Sequence, residues 1–189
     1  QELFHSELAA LSMQKSGFTV CSLPELDLPL AEGRLPDLEL ISEALATLST
    51  VRSSVGLPIL VTTEKGFHQP LPDPKILEAM TRRVRVGDRM DMEKAMTDLV
   101  AFGYEKQPQT VSGRGQFARR GGILDLFPFQ GESPLRLEFN GNEIESIRVF
   151  DLARQTSVNT LSEATWVGLD FSAIGRDGTC LSDYLKGEY

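Results

Sequence analysis

Chemistry in this sequence concentrates where its charge changes sign. Of 189 residues, 19 are basic and 27 acidic, a net charge of −8. Residues Gln1 to Met80 and Gly121 to Tyr189 each hold five basic and eleven acidic residues, whereas Thr81 to Arg120 holds nine basic and five acidic. Arg82, Arg83, Arg85 and Arg89 therefore read in one of two ways: as the solvated face of a strand and its turn, or as a docking surface for an acidic partner. The overall acidity argues against a surface that grips nucleic acid or anionic membrane throughout. With Tyr104 and Phe102 or Phe117 as the candidate base-stackers, the basic stretch also makes a poor groove for single strands.

Catalysis finds no constellation here. A phosphate cradle needs GxxxxGK[ST], so that backbone amides and a lysine surround the anion, and the sequence has none. GxGxxG after a strand, GxSxG and HExxH are absent too. His5 and His68 stand far apart without metal-ligand spacing, and Cys21 and Cys180 form no CxxC or Cys/His pattern and read as reduced, structural thiols. Glu143 and Glu145 share one strand face, where carboxylates beside Arg148 read as a solvated face. No catalytic, metal or cofactor site is expected. No run approaches 18 apolar residues and no basic segment precedes an apolar one, so neither a membrane span nor a secretory signal is readable, and a cytoplasmic location is expected. Because the first residue is Gln1, the chain reads as a piece of something longer.

The elements that must position these residues follow from periodicity. Phe4, Leu8 and Leu11 recur at helical spacing over Glu2 to Ser16, and Gly17 stops that helix. Phe18, Val20 and Leu23 mark a short strand, and Pro24 to Pro36 an acidic, proline-punctuated loop. Asp37 sits where an N-cap belongs, before Leu38, Ile41, Leu45, Leu48 and Val51, a helix that fades at Ser53 to Gly56. Pro58 to Thr63 is a continuous apolar strand. This alternation of helices and buried-type strands predicts an α/β layer with a parallel sheet.

After a helical stretch at Ile76 to Met80 the pattern changes to successive strands. Thr81 to Val86 is a strand, Gly87 its turn, and Asp91 the cap of a helix with Met92, Ala95, Met96, Leu99 and Val100 on one apolar face. Strands are expected at Glu105 to Val111, Gln116 to Arg119, Gly122 to Phe127, Leu135 to Phe139 and Glu143 to Phe150, with a tight turn at Asn140, Gly141 and Asn142. The tail carries a strand at Trp166 to Leu169 and a helical start at Leu181 to Leu185. It is too short for a core of its own, so it is expected to pack back on the first segment. The predicted organisation is residues 1–80, then an inserted α+β domain with an antiparallel sheet over 81–160, then a return over 161–189.

Residues Gly103 to Asp151 carry a more specific signal. The blocks GYE, RGGILDLFP, PLRLEF and NEIESIRVFD, preceded by VGDRMDMEKAMTDLV, resemble in order the module between the nucleotide-binding halves of UvrB. They are more similar still to the UvrB-like region of bacterial transcription-repair coupling factors. TEKGFHQPLPDP, LPELDLPLAEGRLPDLELISEALATL and LSDYLKGEY resemble the flanking parts of that region. The resemblance implies a degenerate RecA-like, P-loop-type parallel-sheet subdomain that does not hydrolyse nucleotide, interrupted by a UvrA-binding domain. It implies UvrA as the partner, with RNA polymerase and DNA engaged only through other domains of the parent protein, an ATP-dependent DNA translocase. The alternative is a fragment of a UvrB-type helicase subunit.

The resemblance also implies site residues. Arg120 occupies the arginine of the RG block and is the strongest candidate for contact with UvrA. Lys106 stands where UvrB has arginine after its tyrosine and glutamate. Ala118 stands where UvrB carries another arginine, so the basic contact there is either missing or shifted to Arg119. Phe117 reads equally as core or as the aromatic anchor of the contact. Gly121 and Gly122 read as structural, and Ile123, Leu124, Leu126 and Phe127 as core.

Overall fold

A computed structural model describes residues 20–26, 37–53, 58–168 and 179–185. The chain divides into two compact units, residues 1–74 with 172–189, and residues 75–171. The fold is mixed α/β, with both parallel and antiparallel sheets.

In the first unit, β1 (Val20–Ser22) and β2 (Ile59–Val61) pair in parallel. A parallel pair needs a long crossover, and α1 (Leu38–Ser53) supplies it. Asp37 starts α1 as expected, its Oδ1 accepting a bond from the Glu39 amide at 2.8 Å. Ile41, Ala44, Leu45 and Leu48 are buried, and the Thr47 hydroxyl donates to the Ser22 carbonyl. A short helix not foreseen from sequence, α2 (Glu64–His68), is capped by Thr63, whose Oγ1 accepts from the Gly66 amide. Five residues are too few for a helical period to show. Near the C-terminus, α5 (Leu181–Leu185) brings the Tyr184 hydroxyl to the Pro72 carbonyl at 2.6 Å, while the Leu71 amide donates to the Thr179 carbonyl. The expected helix over Glu2 to Ser16 and most of the Pro24 to Pro36 loop lie outside the described residues.

The second unit begins within α3 (Pro74–Ala79). Next come β3 (Thr81–Arg85) and α4 (Met92–Ala101), the latter capped by Asp91, whose carboxylate accepts from the Lys94 amide. Met92, Ala95, Met96 and Leu99 are buried as their spacing predicts, but Val100 is 57% exposed and lies off the apolar stripe. A six-stranded sheet follows in the order β4 (Glu105–Gln107), β5 (Gln116–Arg120), β6 (Ile123–Phe127), β7 (Leu135–Asn140), β8 (Glu143–Asp151) and β9 (Thr156–Leu161). All neighbours are antiparallel except β4 and β5, which run parallel, a departure from the purely antiparallel sheet predicted. The strand expected to reach Val111 stops at Gln107 because Pro108 has no N–H to continue the ladder. The β7–β8 turn forms as predicted, with Gly141 at φ 61°.

The last strand, β10 (Glu163–Val167), pairs antiparallel with β3, placing Trp166 opposite Arg82. With the insertion expected to end at residue 160, this strand belongs by sequence to the returning segment. Its ladder with β3 instead makes the second unit continue to Phe171.

Candidate interface on the six-stranded sheet

Strand alternation sorts the basic residues of β5 onto opposite faces. Phe117 and Arg119 point one way, Gln116, Ala118 and Arg120 the other. The first face is apolar: Phe117 pairs with Leu126, Leu126 with Leu135, Leu124 with Leu137, and Leu137 with Ile147, all buried. An ion pair from Arg119 to Glu93, in the first turn of α4, ties the helix to this face. Phe117 is 0% exposed here, which settles its two readings in favour of the core: a fully enclosed ring cannot touch a partner. Lys106, exposed on β4, lies in register with Phe117 and so shares the helix-bearing face.

The opposite face is charged. One row across the strands runs Gln107, Ala118, Asp125, Arg136, Arg148 and Thr160. A second carries Arg120, Ile123, Glu138 and Ser146. Asp125 is 0% exposed and accepts from two arginines. Arg136 donates to it bidentately, Nε to Oδ1 at 2.7 Å and Nη2 to Oδ2 at 2.9 Å, while Arg120 Nη2 donates to Oδ2 at 2.9 Å. Arg136 also lies over the Phe150 ring, 4.6 Å from its centroid. The hydrogen bonds and charge of Asp125, with Glu138 nearby, hold the Arg136 guanidinium above its ordinary pKa against the opposing effect of burial. Beside this triad, Arg148 pairs with Glu138 at 3.0 Å, and the Ser146 hydroxyl donates to the same carboxylate.

Arg136 is locked, but the Arg120 side chain is 41% exposed and gives one of its five N–H donors to Asp125. The triad carries two positive charges against one negative, so a charged fork with spare donors is held at the surface. That arrangement suits a carboxylate on another molecule.

The structure therefore keeps Arg120 on the charged face and sets Arg119 and Lys106 on the other. It adds two residues that sequence reasoning did not select, Asp125 and Arg136. A signal for Asp125 existed: a lone carboxylate inside the apolar run Ile123 to Phe127 is rarely buried without a partner. A further groove of about 630 Å³ lies between β3 and α4, lined by Arg82, Arg89, Lys94, Asp88, Asp91 and Asp98 among others. Its lining also includes Arg83, and Arg82 pairs with Asp98, while Asp88 and Asp91 accept from the backbone amides of Arg85 and Lys94. Among the described residues no cluster of metal-ligating side chains occurs, and no helix is long and apolar enough to cross a membrane.

Comparison with known proteins gives this face a context. Residues 83–168 match the UvrB interaction domain. The chain is 35% identical over 132 residues to the transcription-repair-coupling factor of Myxococcus xanthus, covering 70% of this chain and 11% of that protein. It is 31% identical over 155 residues to the factor of Haemophilus influenzae, 82% of this chain and 13% of the relative. Against the Bacillus subtilis factor identity is 33% over 105 residues, 56% of this chain and 9% of the relative. The chain thus spans about a tenth of the length of the curated relatives it matches.

Proposed function

Since the chain carries a UvrB interaction domain across residues 83–168 and is similar to transcription-repair-coupling factors, we propose that it is a non-catalytic module that binds UvrA and recruits nucleotide excision repair to stalled RNA polymerase. The observation that carries this reading is Arg120, an exposed guanidinium held on a buried carboxylate with most of its donors unspent. Arg119 and Lys106, on the other face, contribute at the sheet edge or by long-range attraction, and Phe117 supports the strand from within. RNA polymerase and DNA are engaged by other parts of the parent protein, an ATP-dependent translocase of the cytoplasm. The first unit is a degenerate RecA-like remnant, a reading supported by its parallel strand pair with a helical crossover.

The test is charge reversal. Arg120→Glu is expected to abolish capture of UvrA while circular dichroism stays unchanged, because Asp125 keeps its bidentate partner Arg136. Removing one member of a buried, hydrogen-bonded charge pair at an interface costs about 2–5 kcal/mol, which makes the loss easy to detect. Capture at parental strength by the variant would overturn the assignment.

A further inference from the structure

We infer that Asp125 is a positioning residue for the docking face, presenting the Arg120 guanidinium in a fixed orientation while Arg136 secures Asp125 from the other side. This rests on the reading that Arg120 contacts the partner, and it says how that contact is prepared. Asp125 is fully buried in the middle of β6, where a carboxylate is expensive unless its charge and lone pairs are met. Arg136 meets both oxygens, turns its Nη1 to the Gln155 carbonyl at 3.5 Å, and keeps its side chain 10% exposed, so this pair is largely enclosed in the sheet. Arg120 is different in kind: it reaches Asp125 through one nitrogen and keeps 41% of its side chain exposed.

A free arginine samples many rotamers and gives up that freedom on binding, a cost that prior fixation removes. Asp125 supplies the fixation. It does so without cancelling the charge, because Arg136 has already balanced Asp125 and the triad keeps one net positive charge. The partner group that fits is a carboxylate approaching the outer side of the Arg120 fork. The alternative sign is physically distinct: if Asp125 merely competed for Arg120, its neutralisation would free the guanidinium and tighten binding.

A double-mutant cycle with purified UvrA as the probe separates these cases. Affinity is measured for the full chain and for Arg120→Ala, Asp125→Asn and the double variant, each checked for fold by circular dichroism. We expect Arg120→Ala to weaken binding about tenfold or more, Asp125→Asn about three- to tenfold, and the double variant to bind no more weakly than Arg120→Ala alone. Unchanged or tighter binding by Asp125→Asn, or a loss that adds fully onto that of Arg120→Ala, overturns the positioning role. An Arg120→Ala variant that binds normally overturns the underlying docking reading instead, and the positioning role with it. Should Asp125→Asn fail to fold, Arg136→Gln decides: without Arg136 the acid loses its anchor and cancels the Arg120 charge, so binding weakened about threefold or more in the folded variant supports the role, and binding closer to parental strength or tighter overturns it.

Discussion

Arg119 and Arg120 are neighbours in sequence but sit on opposite faces of β5, so one is bound to a helix and the other to a buried acid. A one-residue step in a strand turns a side chain through the sheet, and a doublet of like residues hides that division. The carry-over from the RG block identifies Arg120 but cannot show what holds it, because Asp125 and Arg136 lie on separate strands five and eleven residues from their partners. The triad yields a stability prediction distinct from binding. Arg136→Ala leaves Asp125 buried with only an exposed partner and removes the cation from the Phe150 ring. It should destabilise the second unit by about 3–5 kcal/mol, read as a lowered midpoint in denaturant titration. A loss below about 1 kcal/mol would show that Asp125 is neutralised by other means.

Elements with strong local signals were legible before the structure, and those without were not. α4 announced itself through the Asp91 cap and its apolar stripe, and β7 and β8 through alternation around Asn140 and Gly141. By contrast β9, TSVNTL, is exposed over five of its six residues and has no apolar face, so its pairing with β8 left no trace in the pattern. The pairing of β3 with β10 joins residues about eighty positions apart, beyond any local reading.

The corner that joins α4 to the sheet depends on two further features. The Tyr104 hydroxyl donates to the Val167 carbonyl on β10 at 2.8 Å, and its ring packs at 4.5 Å from that of Phe129. Tyr104→Phe should cost about 1 kcal/mol, measured by thermal or chemical unfolding. Burial pushes the phenols of Tyr104 and Tyr184 above the ordinary tyrosine value. Since the folded value lies above the unfolded one, the stability is fully present below about pH 10 and is lost as pH rises further. A spectrophotometric titration should therefore show Tyr104 and Tyr184 ionising together with alkaline unfolding. Ionisation near pH 10 in the folded chain would contradict their burial. At Gly115, φ is 74° and an added Cβ would lie 2.3 Å from the Phe129 ring, so Gly115→Ala should destabilise the same corner by more than about 1 kcal/mol.

At the scale of the whole molecule, an acidic chain presents one charged sheet face on which arginines are displayed by partly or wholly buried acids. The net charge of −8 disfavours a polyanion at long range, so a duplex or single-strand gel shift near 0.1 M salt should show no complex. Calorimetry with ATP and magnesium should likewise record no heat of binding. Measurable affinity would favour a UvrB-type helicase fragment over a recruitment module.

The most direct measurement is site-specific photo-crosslinking to UvrA from the two sides of the sheet. A crosslinker at Thr160, exposed in the same row as Asp125 and Arg136, reports on the charged face, and one at Lys94, exposed on α4, reports on the helix side. The account predicts adducts with UvrA from Thr160 that vanish in the Arg120→Glu background, and none from Lys94. Adducts from Lys94 with none from Thr160 would contradict it.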